Sequence, residues 1–166
     1  IGLRKGSPYV LEAAKAMGTD AQFRMIGPIS VDQAVTGDLR RHLELLGPIA
    51  RLDVAQHFCW ADVFLLPSLC EGSATVCYEA LMAGLPVVAT KNCGTIVRNG
   101  IEGFIVPPAD SSAIVESLEL LSGQPDLLTE MSENAVKRSH YGSLQAYGRR
   151  LLGLFSEFGI GVQAEV

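Results

Sequence analysis

Residues 63–90 read VFLLPSLCEGSATVCYEALMAGLPVVAT and contain a complete strand–helix–strand unit. The apolar run Val63–Leu66 is followed by a proline and a serine, which is typical of a short strand buried on both faces. Ala74–Ala83 has the pattern of a helix that ends at a glycine, and Pro86–Thr90 is the next buried strand. A strand, a helix and a second strand in this order indicate a βαβ unit and a parallel sheet.

The same alternation continues in both directions along the chain. Outside residues 63–90 we predict a helix Pro8–Met17 with Ser7 as N-cap, a strand Phe23–Ile26, a helix Asp32–His42, a strand Leu43–Leu46, a helix capped by Asp53, a strand Phe104–Val106, and two or three helices within Ser111–Phe158. About five strands with helices between them predict an α/β fold with a doubly wound, Rossmann-like parallel sheet. Ligands of such sheets bind outside the carboxyl ends of the strands, so the loops that follow strands are where we look for chemistry.

Length and composition limit the class of protein. The 166 residues are enough for one domain, and the apolar fraction of 48 % with only 19 % charged residues is that of a folded α/β domain, not of a disordered chain. The net charge of −5 argues against a nucleic-acid-binding surface, which needs clustered Lys and Arg. No signal peptide is visible and no apolar run reaches the roughly 20 residues of a membrane span. We expect a cytoplasmic protein, and the start at Ile1 suggests a piece of a longer one.

The cysteines and histidines do not suggest a metal site. Cys59, Cys70, Cys77 and Cys93 form no Cys-x-x-Cys pair, and His42, His57 and His140 are scattered without a ligand partner at the usual spacing. We therefore expect reduced, mostly buried thiols and no metal.

The loop after Val63–Leu66 has the composition of an anion site. Gly72, Ser73 and Ala74 are small, so a phosphate could approach their backbone N–H groups at the positive end of the following helix. Glu71 and Glu79 lie before and inside that helix, about 12 Å apart along a helical path. Each could accept hydrogen bonds from the vicinal hydroxyls of a sugar or a ribose. Taken singly, Glu71 is better explained as a charge complement of the helix dipole, and Glu79 as part of a solvated face.

The whole segment is more specific than its parts, because it resembles the Glu-x7-Glu motif of group 1 retaining GT-B glycosyltransferases. The resemblance extends across the segment 61–108, about fifty residues, with matches at 61–68, Glu71-Gly72, 79–90, Gly94 and 99–108, and it includes the basic turn Arg4-Lys5-Gly6. It implies that Lys5 contacts the donor diphosphate and Glu71 the hydroxyls of the transferred sugar, with the two acting as the catalytic pair. It further implies a nucleotide-sugar site made of Arg4, Lys5, Ile49 (base pocket), Glu71, Gly72, Ser73, Ala74 (amides beside the phosphates) and Glu79 (ribose).

The resemblance also implies what the chain is part of. Residues 1–166 would be the C-terminal, donor-binding domain, without its first strand, without a diphosphate-binding arginine that many members carry six residues before the lysine, and without the N-terminal acceptor domain. The fragment would then be inactive alone. The full protein would transfer a sugar from a UDP, GDP or ADP sugar to an unknown acceptor, with retention and without a metal. Any membrane association, at the inner face of a membrane, would depend on the absent domain.

Two other functions stay open on sequence grounds. The first is a nucleotide-sugar epimerase of similar architecture, which also holds a nucleotide between two domains. The second is a non-catalytic, flavodoxin-like binding module, although the acidic cluster that such modules place after the first strand is not seen. A dinucleotide dehydrogenase is disfavoured, because no Gly-x-Gly-x-x-Gly opens a helix after a strand.

Overall fold

The structure is a computed structural model that describes residues 1–159. Residues 160–166, which belong to the predicted domain 1–166, lie outside the described part. The strands are β1 (Arg24–Ile26), β2 (Glu44–Gly47), β3 (Phe64–Leu66), β4 (Val87–Thr90) and β5 (Gly103–Val106). The helices are α1 (Ser7–Met17), α2 (Gln33–His42), α3 (Val54–Trp60), α4 (Thr75–Met82), α5 (Ser111–Gly123), α6 (Pro125–Ser139) and α7 (Leu144–Glu157). Short 3-10 turns occupy Leu3–Lys5, Arg51–Asp53, Lys91–Cys93 and His140–Gly142.

The strands are parallel but form two hydrogen-bonded ladders. In one ladder β1 pairs with β2, and in the other β4 lies between β3 and β5. Within residues 1–159 no ladder joins β1 to β3, so the single continuous sheet that the alternation predicts is divided. Side chains connect the two parts, since Phe23 and Leu65 each pack against the core on both sides of the division. The α/β class with parallel strands is as predicted.

Helices cover both faces of the three-stranded ladder, and strand β4 shows how the faces are separated. All four of its residues are buried. Val87 and Ala89 face the core beneath α4, whereas Val88 faces the core beneath α1 and α5. Successive strand residues point to opposite faces, so an unbroken apolar strand requires a layer on each side. This is the doubly wound arrangement expected from the sequence.

Most predicted helix starts are confirmed, with one correction at α1. Asp32 caps α2 by accepting a hydrogen bond from the Val35 amide at 2.8 Å. Ser7, in contrast, is not the N-cap of α1. Gly6 takes that position with φ of +76°, and the Ser7 hydroxyl accepts a hydrogen bond from the Gly2 amide at 2.9 Å. Asp53 stands at the N-cap of α3 without a side-chain capping bond.

Gly6 also brings the start of the chain against the loop after β3. A Cβ atom at Gly6 would lie 2.1 Å from the Pro67 carbonyl oxygen, so only glycine permits this close approach. Arg4 and Lys5, immediately before Gly6, are thereby held beside that loop.

Two general features complete the description. Among residues 1–159 no helix is both long and apolar enough to cross a bilayer. Cys77 and Cys93 are buried, but Cys59 and Cys70 are exposed. The prediction of mostly buried thiols is therefore wrong for two of the four, because both exposed cysteines lie on short surface segments, one near the end of α3 and one in the loop after β3.

Candidate functional site

The candidate site is the loop of residues 67–74, which joins the carboxyl end of β3 to α4. It is held from two sides by backbone hydrogen bonds. The Leu69 amide donates to the Arg4 carbonyl at 2.8 Å, and the Glu71 amide donates to the Asn92 carbonyl at 2.9 Å. The loop therefore meets the start of the chain on one side and the turn after β4 on the other. Such a junction at strand ends is where doubly wound folds bind ligands.

Glu71 lies at the centre of this junction beside two cations. Its side chain is only 10 % exposed, with Oε1 at 2.5 Å from Lys5 Nζ and 3.1 Å from Arg4 Nη1. Arg4 Nη1 also donates to the Cys70 carbonyl at 3.4 Å. Burial raises the pKa of the Glu71 carboxyl, but the contact with Lys5 and the charge of Arg4 outweigh burial and hold that pKa below its usual range. Glu71 is thus an ionised acceptor at neutral pH.

The loop also contains the buried oxygen atoms that lack a hydrogen-bond partner. In residues 1–159 these are Ser68 Oγ and Glu71 Oε1, but the cations of Lys5 and Arg4 compensate Glu71 Oε1, so only Ser68 Oγ is without any polar contact. Buried polar atoms are nearly always satisfied, so the unpartnered Ser68 hydroxyl, three residues before Glu71, needs an explanation. A polar ligand that donates hydrogen bonds would provide one.

The amides at the start of α4 are only partly available, which corrects one prediction. The Ala74 amide donates to the Cys93 carbonyl at 2.9 Å, and Ala74 is buried. It therefore cannot face a phosphate as expected. Gly72 and Ser73 are exposed, and within the described residues their amides donate to no protein acceptor. Two free amides remain beside Glu71.

Glu79 has a cationic partner that sequence reasoning missed. Its Oε1 lies 3.2 Å from Arg51 Nη2, with the Glu79 side chain 31 % exposed. Arg51 belongs to the loop after β2, two residues beyond the half-buried Ile49. The position of Arg51 in the sequence could have indicated this role, since a basic residue after the carboxyl end of a strand is well positioned to meet an anion.

A family model decides the relationship to known proteins. The model described as "Glycosyl transferases group 1" matches residues 2–123, well over half of the chain. The chain belongs to this family.

Relatives and solved structures extend the match over nearly the whole chain. The alpha-D-kanosaminyltransferase of Streptomyces kanamyceticus is 28 % identical, over 96 % of this chain and 44 % of the relative. The phosphatidyl-myo-inositol mannosyltransferase of Mycobacterium leprae is 31 % identical, over 96 % of this chain and 46 % of the relative. The crystal structure of Anabaena HepE in complex with UDP-glucose superposes with a TM-score of 0.80 at 19 % identity, over 95 % of this chain and 46 % of that one.

The match confirms the fold and shows how much of each relative the chain covers. The α/β fold with parallel strands, expected for one half of a GT-B protein, is confirmed by the superposition. The chain spans less than half the length of the curated relatives quoted above.

Within this group 1 glycosyl transferase chain, the predicted residues form two groups. Arg4, Lys5 and Glu71 contact one another, together with the exposed amides that follow Glu71. Glu79 forms a second group with Arg51, and Ile49 lies in the Arg51 loop. Their roles toward a donor stay predictions, as do the absence of a metal requirement and the cytoplasmic location. In residues 1–159 no three His, Cys, Asp or Glu side chains are grouped as metal ligands.

Proposed function

We propose that this chain binds a nucleotide diphosphate sugar and forms the donor-binding half of a glycosyltransferase. The observation that carries the proposal is the Glu71 carboxylate, ionised and nearly buried, with Oε1 between the cations of Lys5 and Arg4. A carboxylate can accept several hydrogen bonds, so sugar hydroxyls can donate to Glu71 in addition to its cations, and a diphosphate offers the negative charge that the cations and free amides accept. One donor molecule would satisfy both needs.

The charges also fit the chemistry of sugar transfer. When the bond between the sugar and the diphosphate breaks, negative charge grows on the departing phosphate oxygen. Lys5, with 35 % of its side chain exposed, and the amides of Gly72 and Ser73 can stabilise this charge without a metal. Removing one fixed donor of this kind typically costs about 3–4 kcal/mol of activation free energy. Retention of the anomeric configuration, with Lys5 and Glu71 as the catalytic pair, is part of the proposal.

The second group of residues would hold the nucleoside. Glu79 can accept hydrogen bonds from two ribose hydroxyls, and Arg51 lies 3.2 Å from it. Ile49 would provide an apolar contact for the base. HepE binds UDP-glucose, which supports a UDP sugar first and leaves GDP and ADP sugars to be compared.

The relatives support transfer rather than another use of the nucleotide. The kanosaminyltransferase and the mannosyltransferase are both named for sugar transfer. Because the chain matches less than half of each, we propose that transfer needs a further domain to bind the acceptor. That domain would close over the donor site.

Calorimetry with UDP-, GDP- and ADP-glucose tests donor binding, with Glu79→Ala as the variant. Loss of a charged hydrogen-bond acceptor costs about 1.5–3 kcal/mol, so we expect Glu79→Ala to bind the preferred donor roughly ten- to a hundredfold more weakly. Glu133→Ala is the matched control, since Glu133 is an exposed glutamate paired with Lys137 on α6. Equal affinity of wild type and Glu79→Ala would remove the ribose role.

Product analysis distinguishes the remaining alternatives. Incubation of the full-length protein with the donor and no acceptor should leave the sugar configuration unchanged. An epimerised donor would refute transfer in favour of an epimerase. No affinity for any nucleotide sugar would favour a non-catalytic binding module.

A further inference from the structure

We infer that the turn after β4 positions Glu71 for the donor sugar, and that Asn92 is its positioning residue. The inference rests on the proposed function and names a residue outside the motif that suggested it. Asn92 stands in the short 3-10 turn Lys91–Cys93 and is exposed, so it has no part in the core.

Asn92 holds the Glu71 loop by two hydrogen bonds of opposite direction. Its carbonyl accepts from the Glu71 amide at 2.9 Å, and its side-chain Nδ2 donates to the Leu69 carbonyl at 2.8 Å. The two bonds bracket Cys70, so one residue fixes the backbone immediately before and at Glu71. This pairing replaces the ladder that the loop lacks, because residues 67–74 belong to no helix or strand.

The turn itself is anchored in the buried part of the same loop. The Thr90 hydroxyl donates to the Ser68 carbonyl at 2.5 Å, and the Cys93 thiol donates to the Leu66 carbonyl at 2.9 Å. Thr90 and Cys93 are both completely buried. Because its buried end is fixed in this way, the turn can hold the exposed segment of the loop around Glu71 in a defined position. Asn92 is the exposed end of this support.

The far side of Glu71 is fixed by the same turn. The Cys93 carbonyl accepts from the Ala74 amide at 2.9 Å, and the backbone of Gly94 packs directly against the Gly72 carbonyl. The turn therefore contacts the loop both before and after Glu71. Lys5 and Arg4 approach Glu71 from the chain start instead. Loss of the Asn92 side chain removes the bond to Leu69 and leaves only the backbone bond to Glu71, so the carboxylate gains freedom to shift from both the cations and the sugar.

The test compares Asn92→Ala with Asn134→Ala in the full-length protein. Asn134, a half-buried asparagine on α6, is a matched control because its Nδ2 also donates to a backbone carbonyl, that of Ile101, at 3.4 Å. For the nucleotide sugar that the wild type prefers, we expect Asn92→Ala to lower kcat on the order of ten- to a hundredfold, the effect of a misplaced catalytic group. Its affinity for the nucleotide sugar should fall, while its affinity for the matching nucleoside diphosphate, which has no sugar to reach Glu71, should stay unchanged. Asn134→Ala should change none of these.

A second readout does not depend on activity. The pKa of Glu71, followed by the carboxyl 13C shift, should rise toward its ordinary value in Asn92→Ala as the carboxylate leaves Lys5. If Asn92→Ala does not fold, Asn92→Ser, whose side chain is too short to reach Leu69, takes its place. If the wild type binds no donor, the proposed function is refuted. The pKa of Glu71 in Asn92→Ala then tests by itself whether Asn92 positions Glu71. An unshifted pKa together with kcat equal to that of Asn134→Ala overturns the inference.

Discussion

Gly94→Ala offers the sharpest test of how tightly the donor loop is held. Gly94 has φ of +59°, and a Cβ atom there would lie 2.2 Å from the Gly72 carbonyl oxygen and 3.1 Å from the Ser73 Cα. Cβ contacts below 3.0 Å are essentially never observed. The Gly72 backbone must therefore move by about 1 Å, since packed atoms do not interpenetrate.

Gly100→Ala separates this displacement from backbone strain. Gly100 has φ of +77°, but a Cβ atom at Gly100 would meet nothing within 4 Å. Both substitutions impose the left-handed conformation on alanine, at about 1–2 kcal/mol. Only Gly94→Ala adds a steric overlap, that of the new Cβ with the Gly72 carbonyl oxygen, which costs about 1–3 kcal/mol more of stability if the Gly72 backbone cannot move. If the exposed loop moves instead, stability is kept but Glu71 is displaced, and donor binding weakens.

The assay is thermal unfolding together with calorimetric titration of the preferred nucleotide sugar. Gly100→Ala should lose about 1–2 kcal/mol of stability and bind the donor as the wild type does. Gly94→Ala should be less stable than Gly100→Ala, or bind the donor at least tenfold more weakly, or both. If the two variants were equal in stability and in donor affinity, the Gly72 loop would not be held by the turn, and the account of the site would be refuted.

Two further predictions concern charged pairs. Lys5→Met should raise the pKa of Glu71, because burial would then be opposed by Arg4 alone; the carboxyl 13C titration measures it, and an unchanged pKa would contradict the pairing. The sign follows from the depressed pKa, since the stabilisation by ionised Glu71 is present above its unfolded pKa and is lost as pH falls through the folded pKa. In Lys5→Met this stabilisation should therefore be smaller, and its loss should be complete at a higher pH. Arg98→Ala should destabilise the fold by about 2–3 kcal/mol, because Glu102 is fully buried and Arg98 Nε donates to its Oε1 at 2.8 Å. Urea unfolding measures this loss, with Arg149→Ala as the control, because Arg149 lies on α7 and no ion pair is found for it in residues 1–159. Equal stability of the two variants would show that the Arg98–Glu102 pair is not needed.

The candidate site was only partly readable in advance. Glu71 is predictable because a long, specific motif surrounds it, and Lys5 because the basic turn before α1 resembles the same family; the structure places the two in contact. Asn92 and Arg51 were missed, although they contact Leu69 and Glu79, residues of the motif segment. Their partners lie 23 and 28 positions away in the chain. Local periodicity carries no information about which distant loops will meet.

The hydrogen bond made by the Ala74 amide and the division of the sheet were unpredictable for the same reason, since both depend on contacts between distant segments of the chain. A run of small residues before a helix indicates room for an anion, but it does not show that the Cys93 carbonyl already takes the Ala74 amide. Likewise, each strand is visible as an apolar burst, whereas its neighbours depend on pairing between distant segments. Strand β1 and strand β3 were both predicted correctly as strands and still belong to separate ladders.

The amino-acid sequence alone therefore determined the order and type of the elements, the two-faced burial of β4 and the identity of the motif residues. These follow from side-chain size, polarity and backbone preference, which act over a few residues. Only the tertiary structure decided which charges meet, which amides stay free and which turn supports Glu71. Those outcomes depend on the distances between loops at the strand ends, and packing of the helices against both faces of the sheet sets these distances.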